Sequence, residues 1–127
     1  MLLGDATVMA ILPVVDMARA QEFYEKKLGL SAPEDQGDGH VIYSCGNGTK
    51  LLVYARREVT KAEHTQVAFT VDNLEATVEE LKKNGVTFEE YDFPGLKTVN
   101  SIATMAGEKS AWLKDPEGNI IGIGQKA

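Results

Sequence analysis

Val15-Asp16-Met17-Ala18-Arg19-Ala20-Gln21-Glu22-Phe23-Tyr24-Glu25-Lys26-Lys27-Leu28-Gly29 decides how this chain folds, because its pattern returns between Val71 and Gly85. In the first copy Asp16 is suited to accept a hydrogen bond from a free N–H of a first helical turn. Met17, Ala20, Phe23, Tyr24 and Leu28 then recur at helical spacing on one face. Lys26 and Lys27 suit the negative end of the helix dipole, and Gly29 suits a left-handed stop. In the second copy Asn73 or Asp72 caps, Leu74, Val78 and Leu81 form the apolar face, and Lys82, Lys83 and Gly85 close the helix. At an offset of 56 residues Val15, Asp16, Ala20, Lys26, Lys27 and Gly29 meet Val71, Asp72, Ala76, Lys82, Lys83 and Gly85.

The flanking segments repeat in the same order. Residues 7–15 and 65–71 are rich in apolar and β-branched residues and read as strands entering each helix. Residues 33–39 are turn-rich. His40-Val41-Ile42-Tyr43-Ser44-Cys45, the turn Gly46-Asn47-Gly48 and residues 49–55 form a hairpin pattern. In the second half a strand over 86–91 leads to a long irregular stretch, 93–107, and residues 109–114 and 119–125 flank Asp115-Pro116-Glu117-Gly118. Gly48 meets Gly118 at an offset of 70, so the second half carries an insertion, and 93–107 is its natural location. A βαβββ unit of this size buries too little to stand alone, so two must share a core. The expectation is an α+β single domain over 1–127, with modules at about 5–58 and 62–127, eight strands in two curved mixed sheets, and helices outside.

The 127 residues carry 43% hydrophobic and 25% charged side chains, as soluble globular chains do. Thirteen Lys and Arg against 19 Asp and Glu leave a net charge of −6, which argues against nucleic acid or an anionic membrane as partner. Cys45 stands alone, with no second Cys for a disulfide and no adjoining His or Lys to activate it. The first 18 residues carry Asp5, lack a leading Lys or Arg, and are broken by Pro13, which makes a poor signal peptide. A cytoplasmic location is the default expectation.

Four segments resemble the glyoxalase / bleomycin-resistance / extradiol-dioxygenase superfamily, also called vicinal oxygen chelate proteins. They are Leu12-Pro13-Val14-Val15-Asp16-Met17, Phe23-Tyr24-Glu25-Lys26-Lys27-Leu28-Gly29-Leu30, Val67-Ala68-Phe69-Thr70-Val71-Asp72-Asn73-Leu74 and Asp115-Pro116-Glu117-Gly118-Asn119. The resemblance implies that the two sheets surround a cleft and that a homodimer forms. In metal-using members His, Gln or Glu side chains from the first and last strand of each module bind a divalent cation in that cleft. Carried onto this chain, those positions are Met9, Leu52, Gln66 and Gly122. Only Gln66 offers an oxygen, and a thioether is a poor ligand for hard divalent ions. No metal site and no cofactor are expected. His64, two residues before Gln66, shares its face of the strand, while His40 opens a strand of the first module.

Without a metal, the inward set is Met9 and Ile11, Leu52 and Tyr54, Gln66 and Ala68, and Gly122, with Gly124 and Trp112 beside them. This is a largely apolar wall with one amide and one phenol, the usual composition of a small-molecule site. The favoured reading is a metal-independent protein that binds and sequesters a small aromatic or cationic molecule, an antibiotic among them. The competing reading is a lyase, isomerase or dioxygenase-like enzyme. It would use side-chain acid/base chemistry, with Tyr54, His64 and Glu108 as catalytic candidates, or an atypical metal site.

Overall fold

A computed structural model describes residues 3–37, 39–58 and 61–126; Met1, Leu2, Asp38 of the turn-rich stretch, Val59, Thr60 and Ala127 of the second module lie outside it. The first half contributes β1 (Ala10–Val14), α1 (Met17–Glu22) with a π-helical turn over Phe23–Lys27, β2 (Ser31–Asp35), β3 (His40–Ser44) and β4 (Lys50–Ala55). The second contributes β5 (Thr65–Thr70), α2 (Leu74–Lys83), β6 (Asp92–Phe93), β7 (Leu96–Lys97), β8 (Ala103–Met105), β9 (Glu108–Lys114) and β10 (Ile120–Gln125). Each half forms a four-stranded mixed sheet of the same order, β1-β4-β3-β2 and β5-β10-β9-β8. In each, the strand before the helix pairs in parallel with the last strand of the unit. The expected α+β architecture of two curved sheets is therefore present.

The helices form where caps and apolar spacing coincide. Asp16 accepts from the Arg19 N–H and Asn73 from the Ala76 N–H, each satisfying an orphan donor of its first turn. Of the two cap candidates in the second helix, Asn73 is the one used. These caps stand 57 residues apart, yet the stop glycines, Gly29 (φ 77°) and Gly85 (φ 91°), stand 56 apart. The π turn absorbs the extra residue in the first helix. The Asp16–Asp72 identity thus pairs a cap with the residue before a cap.

One core serves both halves. Leu12 and Val14 of β1, Leu51 and Val53 of β4, Phe23 and Tyr24 of the π turn, Leu74, Val78 and Leu81 of α2, and Leu113, Ile121 and Ile123 of the second sheet belong to a single buried cluster. Each such aliphatic side chain contributes about 1.5–3 kcal/mol on burial.

Three sequence expectations are corrected. Residues 33–35, read as turn, belong to β2, an exposed edge strand whose register shift accommodates Pro33. Residues 86–91 form only a bridge, Phe88 to Leu113, and the outermost strand of the second sheet is β8, drawn from the stretch read as irregular. That stretch is also folded elsewhere, into the β6–β7 hairpin. It is pinned by Glu90, whose carboxylate accepts from the Thr98 and Ser101 hydroxyls and from the Ser101 N–H. These contacts hold the Glu90 carboxyl below its ordinary value, the Ser101 hydroxyl first among them.

Candidate functional site

Strand alternation separates two faces on each sheet. Leu12, Val14, Leu51 and Val53 point to the core, so Ile11, Leu52 and Ile42, mutually paired across β1, β4 and β3, lie on the other face. Pro13, Tyr54 and His40 form the next row, with the His40 and Tyr54 rings 6.3 Å apart. On the second sheet Ala68, Gly122 and Trp112 form the matching row. The Ile42–Leu52 and Gly122–Trp112 pairs thus correspond at the 70-residue offset seen in the sequence. Met9 and Ile11 are exposed, Ile11 by 54%, and Leu52, Tyr54 and Trp112 are half-buried.

Trp112 ends a row of three edge-on aromatic rings centred on Tyr91. Tyr91 meets it edge-on at 5.5 Å and 71°, and Phe93 meets Tyr91 at 5.8 Å. The indole lies beside Gly122 of β10. A Cβ there would press on the Thr65 methyl at 3.2 Å and meet the indole in ordinary contact at 3.6 Å. Burial, then the Glu89 carboxylate, pushes the Tyr91 phenol upward. Sequence reasoning missed Tyr91 and Phe93. The signal was their period-two alternation with Glu89, whose N–H donates to the Trp112 carbonyl and whose carboxylate pairs with Lys114.

Gln66 occupies a bulge of β5. Thr65 pairs with Ile120 and Val67 with Ile121, leaving Gln66 opposite neither. Its Oε1 accepts from the Ile120 N–H at 3.0 Å and its Nε2 donates to Asn119 Oδ1 at 2.8 Å. The one residue with donor chemistry at the family's metal positions is therefore spent on the β9–β10 turn. Met9, Leu52 and Gly122 supply no hard donor, and no three His, Cys, Asp or Glu residues converge among the described residues. The residues at these positions do not fit a divalent cation.

The Asp115-Pro116-Glu117-Gly118-Asn119 turn is buried through its three polar side chains. Asp115 Oδ1 accepts from the Glu117 and Asn119 N–H groups, and its Oδ2 accepts from Tyr24 Oη and Asn119 Nδ2. Asn119 Nδ2 also donates to the Pro13 carbonyl on the outer edge of β1. Glu117 Oε2 accepts from the Asp16 N–H at 2.8 Å and from Arg19 Nη2 at 3.1 Å. Burial alone would raise the Glu117 carboxyl; the Asp16 N–H and the Arg19 guanidinium outweigh it and hold it below its ordinary value. Burial and Asp115 push the Tyr24 phenol far upward. This turn clamps the second module onto the first.

The acid/base candidates separate. The Asn119–Pro13 bond joins the end of β1 to the start of β5, so Tyr54, paired with Pro13, and exposed His64 lie towards the same end. Glu108 is exposed at the far end of β9, six residues from Lys114, which pairs with Ile120 beside Thr65. That is about 20 Å along a strand. Burial pushes the Cys45 thiol upward, away from the reactive thiolate.

No helix among the described residues is long and apolar enough to cross a membrane. No curated protein matches the chain. Among solved structures, a glyoxalase/dioxygenase from Nostoc punctiforme superposes with a TM-score of 0.68 at 16% identity, covering 100% of this chain and 96% of that one. TnmS3, an antibiotic binding protein from Streptomyces sp. CB03234, gives 0.66 at 21% identity, covering 97% and 98%. A lactoylglutathione lyase from Agrobacterium tumefaciens gives 0.64 at 23%, covering 94% and 93%. At these identities the likeness is one of fold. The family model described as Glyoxalase/Bleomycin resistance protein/Dioxygenase superfamily matches residues 6–123, and the chain belongs to that superfamily.

Proposed function

We propose that this protein binds and sequesters a small, cationic aromatic molecule over the face that carries Trp112, without a metal. The observation that carries this reading is the Phe93–Tyr91–Trp112 cluster of edge-on rings, whose half-buried indole lies beside Gly122. Aromatic faces and edges of this kind receive planar guests, and cation–π attraction adds about 0.5–2 kcal/mol for a charged one. The net charge of −6 speeds capture of a cation. Antibiotics enter as ligand class because a protein of this fold, TnmS3, binds one. Met9, Leu52 and Gly122 at the family's metal positions support a metal-free site.

The test is a titration of Trp112 fluorescence with bleomycin and other cationic aromatic antibiotics, alongside elemental analysis of the purified protein. Trp112 is the only tryptophan, so its quenching reports this face directly. Saturable quenching with no stoichiometric Ni, Zn, Fe or Mn supports the reading. No quenching, together with turnover of a 2-oxoaldehyde adduct or a catechol, would replace it with an enzymatic one built on Tyr54 and its neighbour His40.

A further inference from the structure

The two sheets meet along the edges of β1 and β5, and the two ends of that seam correspond. Residues of β1 match those 57 positions on in β5, and residues of the β3–β4 hairpin match those 70 positions on in the β9–β10 hairpin. At one end Asp115, Glu117 and Asn119 fill the space and bond to Tyr24, Asp16, Arg19 and Pro13. At the other end the three matching places hold Cys45, Asn47 and Thr49, and Leu81 matches Tyr24. The shorter side chains leave a groove of about 500 Å³ there, bordered by Val8, Ala10, Leu51, Val67, Phe69 and Thr70. That volume falls in the range of small-molecule sites.

The groove wall has a defined polarity. The Val71 N–H donates to the Gly124 carbonyl, so Val71 faces β10. Alternation then turns the N–H and C=O of Ala68 and Thr70 to the free edge of β5, which lines the groove. At the sealed end the matching carbonyl, Pro13, takes the Asn119 amide N–H. Among the described lining residues Lys50 is the single charged one, and none is acidic, in a chain of net charge −6.

We propose that this groove binds a small apolar carboxylic acid with a neighbouring N–H donor, the chemical class of N-acyl amino acids. Its carboxylate lies at Lys50, its N–H meets the free edge of β5, and its apolar part rests among Val8, Ala10 and Phe69. Such a guest supplies at this end the amide N–H that the Asn119 side chain supplies at the other. The groove shares Ala68 with the row that carries Trp112, but Lys50, Val8 and Phe69 lie outside that row, and its test does not depend on what the Trp112 face binds.

The probe is N-acetyl-L-phenylalanine, titrated by calorimetry and by amide chemical-shift mapping, with its neutral amide, N-acetyl-L-phenylalaninamide, as comparison. The expected result is saturable binding of the acid at least tenfold tighter than the amide, with shifts confined to 8–10, 45–51 and 67–70. Lys50→Gln is expected to remove that tenfold preference, and Val8→Trp, at an exposed position, to block both probes. Thermal melts of the two variants confirm that each is folded. No saturable binding, equal binding of acid and amide, or shifts centred on Trp112 and Tyr54 would overturn the proposal.

Discussion

Tyr24 Oη donates a 2.6 Å hydrogen bond to Asp115 Oδ2, joining the helix of the first module to the turn of the second across 91 positions of sequence. Both residues are buried, Tyr24 completely. Removing the hydroxyl leaves one of the four donors to Asp115 missing in a site water does not reach. Tyr24→Phe is expected to cost about 1.5–3 kcal/mol in urea unfolding. Asp115→Asn turns an acceptor into a donor facing other donors and is expected to cost more, about 3 kcal/mol or above. Equal stability of wild type and Tyr24→Phe would remove this bond from the account.

Glu117 makes the clamp acid-sensitive. Its folded carboxyl lies below the unfolded value of about 4.3, so the stability it supplies is complete above that pH. That stability is lost as pH falls from about 4.3 through the lower folded value. Chemical denaturation at pH 7 and pH 3 is expected to show a loss that Glu117→Gln diminishes. At pH 7 the same variant weakens the bonds to Asp16 and Arg19 and is expected to cost about 1–3 kcal/mol.

Gln66→Glu is expected to destabilise rather than create a cation site. The new carboxylate would face Asn119 Oδ1 with no proton to offer, in place of a 2.8 Å bond. A loss of about 1–3 kcal/mol is expected, with no gain in metal content by elemental analysis. A stabilised, metal-loaded variant would contradict the assignment of Gln66 to the turn.

Gly122→Ala probes the seat of the indole. The added methyl presses on the Thr65 methyl at 3.2 Å and meets the ring in ordinary contact at 3.6 Å, so Thr65, not Trp112, must give way. Trp112 emission and quenching by a cationic aromatic antibiotic are expected to stay close to wild type, with about 1 kcal/mol lost in stability. Trp112→Ala removes the platform and is expected to abolish binding while the fold survives, since the indole is only half-buried.

Glu90→Gln tests whether the segment from β6 to β8 is held in place. Its carboxylate organises Thr98 and Ser101, the latter at φ 74° in a turn that Asn100 also enters with φ 53°. Faster amide exchange across 98–103, with exchange in α2 unchanged, is the expected outcome. Unchanged exchange at Ser101 would assign its protection elsewhere.

What the sequence determined by itself was local or periodic. Asp16 and Asn73 cap because a short polar side chain meets the free N–H groups of the turn that follows. Leu12, Val14, Leu51 and Val53 turn inward because alternation leaves them one apolar face. The repeated order of strand, helix and hairpin, and the family, followed from such signals. Tertiary structure decided what depends on distant partners. Gln66 looked like a ligand until the bulge brought its amide to Ile120 and Asn119. Residues 103–105 looked irregular because an edge strand of three residues carries too little periodicity to announce itself. Asp115, Glu117 and Asn119 read as a turn, while their work of joining the modules required Tyr24, Asp16 and Pro13 to arrive from about a hundred residues away. The groove at the opposite end has the same origin: a space between β1, β5 and a hairpin exists only once those three elements have met.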